Sequence, residues 1–174
     1  MPRVIVEGTV DNSKILVSRE GAQAFIHVIG RGSFQNASSV KTFCQKLVAD
    51  GVYQWTVDME ECTYLDSTFL GTLAGLGTKV REHQGKVKIV KVTPRNMELF
   101  QNLGLDRILS INAPAPEEPV KMEELPAGAP TKRESGLNML EAHNNLINLD
   151  PRNLPKFKDV VAYLKEDLGV PGDD

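Results

Sequence analysis

Two periods of apolar residues divide the chain. Short β-rich runs at 14–18 (KILVS) and 24–30 (AFIHVIG), joined by Glu20-Gly21, predict a hairpin. The run VIVEGTV at 4–10 predicts a further edge strand. A helical period follows over 38–49, with Asn36, Ser38 and Ser39 as candidate caps and Val40, Phe43, Leu47 and Val48 on its buried stripe. A strand at 54–59, a helix at 67–83 and a strand at 86–92 come next. Thr93-Pro94 opens another helix, because the hydroxyl can cap and proline tolerates the first turn. That helix buries Met97 and Phe100, with Leu99 and Leu103, and stops near Gly104; a short strand at 107–111 closes the series. Strands alternating with helices predict an α/β fold with a mixed, mostly parallel sheet.

The pattern changes at residue 112. Residues 112–134 hold five of the chain's ten prolines and no aromatic, which reads as a linker. Two more helical stretches follow, at 135–149 and 155–169, the second with Phe157, Val160, Val161, Leu164 and Leu168 on one stripe. An amphipathic stripe needs a cover. The nearer expectation is the chain's own domain or neighbouring helix; the other is docking to a second subunit, including a homo-oligomer through these helices. The predicted organisation is a domain over 1–111, a Pro-rich linker over 112–134 and a helical extension over 135–174.

The stretch LDSTFLGTL, residues 65–73, stands where a strand gives way to a helix. On a helical projection Phe69, Leu70, Leu73, Ala74, Leu76, Gly77 and Val80 share one arc. Thr68, Thr72, Gly75 and Lys79 fall on the opposite arc, which is low in charge and is expected to face solvent or a partner. Asp66 and Ser67 are the expected caps, and Thr68 stands on the exposed arc. A phosphate on Thr68 would add about 1.5 to 2 negative charges at a helix end that tolerates them. Asp66, Glu60 and Glu61 would add to its field, so a surface that accepts the hydroxyl would reject the phosphorylated form.

Composition narrows the alternatives. A net charge of −3 and no basic stripe with interleaved aromatics argue against nucleic acid. No apolar run reaches the roughly 20 residues of a membrane span, and the first residues lack a signal-peptide core, so the expected location is cytoplasmic. Cys44 and Cys62 read as packing residues. His27, His83 and His143 have no ligand spacing, so neither a metal nor a cofactor is expected. Most of Asp58, Glu60, Glu61 and Asp66 read as solvated loop acids rather than a magnesium phosphotransfer site. No nucleophile, base and oxyanion hole assemble, and an enzyme is not expected.

Val57-Asp58, then Tyr64-Leu65-Asp66-Ser67-Thr68-x-Leu70-Gly71, then Val92-Thr93-Pro94 with Leu99-Phe100 resemble the STAS domain, and more narrowly the bacterial anti-sigma factor antagonists, over roughly 12–111. The resemblance implies a phosphorylation-switched binding protein that sequesters an anti-sigma factor of the histidine-kinase-like ATPase type. A PPM-type serine/threonine phosphatase would reverse the modification. It places the phosphoacceptor at Thr68, or at Ser67 as in some stress-signalling scaffolds. Asp66, Phe69, Thr72, Gly75 and Lys79 are the expected partner-binding residues. The chain has Phe69 where the family usually has glycine, and Ser33 where it often has an acid. Alternatives are a STAS subunit that supports a transport complex and is never phosphorylated, a scaffold of a stress-signalling assembly, and a small phosphotransfer enzyme using the acids.

Overall fold

The computed structural model describes residues 12–172; the run at 4–10 lies outside them. The hairpin is β1 (Lys14–Glu20) and β2 (Gln23–Gly32), turning at Gly21 with φ +62°. Helix α1 (Phe34–Ala49) follows, then β3 (Gln54–Asp58), β4 (Cys62–Leu65) and α2 (Ser67–Arg81). Next come β5 (Lys86–Val90), α3 (Pro94–Asn102) and β6 (Ser110–Ile111). The chain ends in β7 (Glu123–Glu124), α4 (Lys132–Leu149) and α5 (Leu154–Leu168). The sheet order is β6-β5-β3-β2-β1-β7, and β4 pairs with the far end of β2. Pairings across β2, β3, β5 and β6 are parallel, and so is β2 with β4; β1 runs antiparallel to both its neighbours. The fold is the mixed α/β architecture expected.

Alternation sets the two faces. Ile15 and Val17, Ala24, Ile26 and Val28, Trp55 and Val57, Val87 and Ile89 point into one core with α1, α2 and α3. The intervening Phe25, His27, Thr56, Asp58 and Val90 line the opposite face. Residues 112–131 do not hang free there. Ala115, Pro116, Glu118, Pro119 and Met122 line a small cleft with that face. Leu125 N–H then donates to Ile15 O at 2.8 Å beside the β7–β1 pairing, and Gly128 N–H donates to Ser39 Oγ at 2.9 Å. The segment is a strap across the sheet from β6 to the β1 edge, and it explains why β2 is apolar on both faces.

Several boundaries differ from expectation for local reasons. Helix α1 starts at Phe34 because Ser33, not Asn36, Ser38 or Ser39, is the cap: its Oγ accepts from Gln35 N at 3.2 Å, and Asn36 Oδ1 accepts from Ser33 N at 2.9 Å. Phe43 is only partly buried on α1, as are Met97 and Leu99 on α3. The strand predicted at 107–111 shortens because Gly104, at φ +76°, leads into a 3₁₀ turn at Leu105–Arg107 that buries Leu105.

Helices α4 and α5 form a hairpin. Val161, Leu164 and Leu168 of α5 pack on Leu140 of α4, while Phe157 and Leu146 join the main core. Val160 is exposed instead, at the edge of the stripe. The hairpin's corner is fixed to α3. Buried Asn153 Nδ2 donates to Leu103 O at 2.9 Å and Leu146 O at 2.8 Å, and Lys156 Nζ donates to Asn102 O at 2.7 Å. Asp150 is 1% exposed and receives Arg152 Nη2 at 2.7 Å, with Arg107 Nη2 at 3.7 Å. Hydrogen bonds from Arg152 hold its carboxyl well below the ordinary 3.8, at about 2.

Two outcomes follow from the corner. Asn153→Ala strips two buried carbonyls of their donor and should lower stability by about 1–3 kcal/mol in urea unfolding. Because the folded Asp150 binds its proton less readily than the unfolded carboxyl, its contribution is complete above the unfolded value of 3.8 and disappears as pH falls toward about 2. Unfolding midpoints measured across that window should fall for the wild type and be flatter for Asp150→Asn.

Candidate functional site

Asp66 is the joint of the site. It lies in extended backbone after β4, and its N–H donates to Gly32 O at 3.0 Å at the end of β2. Its Oδ1 accepts from Phe69 N at 2.9 Å in the first turn of α2, and its Oδ2 accepts from Phe34 N at 2.8 Å in the first turn of α1. One carboxylate therefore caps two helices. Beside it, Arg31 stacks over Tyr64 at 4.2 Å, and Phe34 is exposed.

The hydroxyls do not stand as the projection predicts. Ser67 caps nothing: its hydroxyl meets His143 Nε2 of α4 at 2.8 Å. His143 Nδ1 lies 2.6 Å from Met139 O, an acceptor only, so Nδ1 carries the proton. In neutral His143 this leaves Nε2 to accept from Ser67. Thr68 is 5% and Thr72 8% exposed, so the N-terminal half of the arc expected to face solvent is covered. Its cover is α4, which packs along α2. Gly71 lets the backbones touch: a Cβ there would overlap the carbonyl of Ala142. Asn145 Nδ2 donates to Gly71 O at 3.1 Å and stands over Gly75. Between α1 and α4 a groove of about 890 Å³ has Thr72, Gly75, Leu76 and Lys79 on its floor, and Lys41 of α1 pairs with Glu141 of α4 at its side.

Each expected partner-binding residue has a definite place. Phe69 is fully buried in the core and cannot touch a partner from there. Thr72 is buried and Gly75 half-buried beside α4. Only Lys79 is exposed, with Glu82 at 3.5 Å. Asp66 is engaged by two helix ends. The sequence reasoning missed His143 and Asn145. Residue spacing gives no sign of them, because 76 positions separate Ser67 from His143.

The remaining acids are not all solvated loop residues. Asp58 is buried, and with Glu60 and Glu118 it surrounds the Lys91 ammonium at 3.5, 3.3 and 3.2 Å. Hydrogen bonds that Lys91 donates to Glu118 and Glu60 push its pKa up, so the cluster is internally neutralised in part. Asp66 is not in it. His27 Nε2 lies 3.0 Å from a Glu61 carboxylate oxygen without hydrogen-bond geometry, and His83 stacks on Tyr53. Burial pushes both cysteine thiols up, which keeps them protonated and inert.

A parallel-centred sheet, a hairpin start and a D-S-T helix cap define a protein of the STAS type. The family profile described as "Mlab, STAS domain" matches residues 15–110, more than half of the chain, and the chain belongs to that family. The fold is shared with a putative anti-sigma factor antagonist of Thermotoga maritima (15% identity, TM-score 0.52, 56% of this chain and 85% of that one). It is shared too with an anti-sigma factor antagonist of Mycobacterium paratuberculosis (21%, 0.51, 58% and 86%) and with the Bacillus cell fate determinant SpoIIAA in its phosphorylated form (14%, 0.50, 57% and 91%). No curated protein matches the sequence. Helices α4 and α5 lie outside the matched residues. Among the described residues no helix is long and apolar enough to cross a membrane.

The double cap is testable. Asp66→Ala should destabilise the protein by about 2 kcal/mol in urea unfolding. Asp66→Asn offers one side-chain oxygen for two helix ends and should recover only part of that loss.

Proposed function

We propose that this protein is an anti-sigma factor antagonist, a binding protein without catalytic activity that is switched by phosphorylation of the hydroxyls opening α2. Unphosphorylated, it sequesters an anti-sigma factor of the histidine-kinase-like ATPase type in the cytoplasm; that partner phosphorylates it, and a PPM-type phosphatase restores it. The observation that carries the reading is the pair Ser67 and Thr68 in the first turn of α2, capped by Asp66 within a STAS fold. Free N–H groups there favour a phosphate. Thr68 is the matched acceptor, and Ser67 is the more accessible of the two. A phosphoryl group at either position adds charge at the edge of the α2 surface, where partner contacts are desolvated, and this lowers affinity. Asp66 serves the site by holding both helix starts in register, while Thr72, Gly75 and Lys79 form the partner surface.

One observation favours a second reading, an unphosphorylated STAS subunit or scaffold of a larger complex: Thr68 is buried. Incubation of the full chain with its cognate kinase and ATP, read by intact mass, decides between them. One phosphoryl group is expected, retained in Ser67→Ala and lost in Thr68→Ala. Loss in Ser67→Ala alone moves the site to Ser67. No incorporation in the wild type leaves the subunit reading.

A further inference from the structure

Part of the surface given to the partner is already occupied by α4. We infer that the α4–α5 hairpin is an internal competitor for the α2 docking surface, and that the Ser67–His143 hydrogen bond ties its release to modification of the α2 hydroxyls. The inference rests on the proposed switch for its biological sense, but its physical content is independent of it.

Four contacts show what the α2 surface accepts. A helix crosses it with a small residue, Ala142, against Gly71. An amide, Asn145, binds the Gly71 carbonyl, which stays accessible because Gly75, one turn on, has no side chain: a Cβ there would overlap the Asn145 amide. A ring nitrogen, His143 Nε2, takes the Ser67 hydroxyl. A flanking acid, Glu141, pairs with Lys41 of α1. A partner that binds here presents the same chemistry: a helix with a small residue at the crossing, an amide one turn along and an acceptor for the hydroxyl. It binds the unmodified surface only by displacing α4, because two helices cannot share the Gly71 position; in the phosphorylated protein α4 is released but the added charge itself repels the partner.

The same contacts make the hairpin sensitive to charge on α2. Ser67 Oγ lies within hydrogen-bond distance of a ring that α4 buries, and Thr68 is enclosed one residue on. A phosphoryl group on either oxygen has no room beside docked α4. Releasing α4 hydrates the phosphate and removes the overlap. The hairpin's other anchor, Asn153 and Lys156 on the end of α3, lies on a different element and is untouched by charge on α2. Opening therefore means α4 lifting from α2, with the sheet intact.

Hydrogen exchange on the full-length protein, with no kinase present, tests this. Ser67→Asp and Thr68→Asp mimic the added charge; Ala142→Trp dislodges α4 from its own side and leaves the α2 residues unchanged; Ser67→Ala removes the hydrogen bond without adding charge. The expected result is exchange in α4 faster by on the order of tenfold or more in Ser67→Asp and Ala142→Trp, with β3 and β5 still protected. Ser67→Ala should show a smaller rise. Thr68→Asp should behave as Ser67→Asp. If buried charge instead unfolds that variant, Ser67→Asp and Ala142→Trp decide the matter. The inference is overturned if α4 stays as protected in Ser67→Asp as in the wild type. It is equally overturned if α4 and the sheet lose protection together in Ala142→Trp, since the hairpin would then be an inseparable part of the core. A protein that opens in these variants yet takes no phosphate from its kinase would keep the hairpin as a charge-sensitive competitor and lose its tie to phosphorylation.

Discussion

The backbone contact between α2 and α4 at Gly71 and Ala142 is the constraint on which the rest of the site depends. Helices approach this closely only where one has no side chain. Once they do, every neighbour is placed: Asn145 reaches the Gly71 carbonyl, His143 reaches Ser67, and the two threonines of α2 lose their solvent. A glycine that breaks helix preference in the middle of α2 is thus a recognition element. Gly77 serves a different end, since a Cβ there would overlap Leu109 and Ile108 under the sheet's last strand.

Asp66 links the two layers of this arrangement. It joins the end of the β-sheet to the starts of α1 and α2, so one wall of the groove and its floor are positioned by one side chain. The first hydroxyl after it is drawn sideways into α4, and the second is held beneath. Cap, interhelical contact and buried hydroxyl are consecutive in sequence but face different neighbours.

Most of the domain was legible from apolar periodicity. The central strands and the three helices between them carry strong patterns, and Thr93-Pro94 marks the start of α3 without ambiguity. Strand β4 was missed because Cys62–Leu65 pairs only with the far end of β2 and has two exposed residues in four. Strand β7 was missed because Glu123–Glu124 has no apolar signature; main-chain pairing with β1 alone defines it. The start of α1 was misplaced by four residues because Ser33 and Asn36 form a reciprocal cap with the shorter asparagine where glutamate or glutamine is usual. The largest miss was the α2 surface. Periodicity separates two faces but does not say what covers the second. The clue was its composition, two threonines and a glycine with a single lysine: a solvated face carries more charge, whereas a face that receives a helix does not.

The strap across the sheet has a mechanical consequence for the hairpin it carries. β7 and the Leu125–Ile15 hydrogen bond pin the chain a few residues before α4 begins. A displaced hairpin therefore stays on a short leash, where the effective concentration of a tethered segment is on the order of millimolar. Any molecule that takes its place on α2 competes against that local concentration rather than against its own affinity alone. Shortening or lengthening the strap would retune the threshold without altering a single residue of the contact surface.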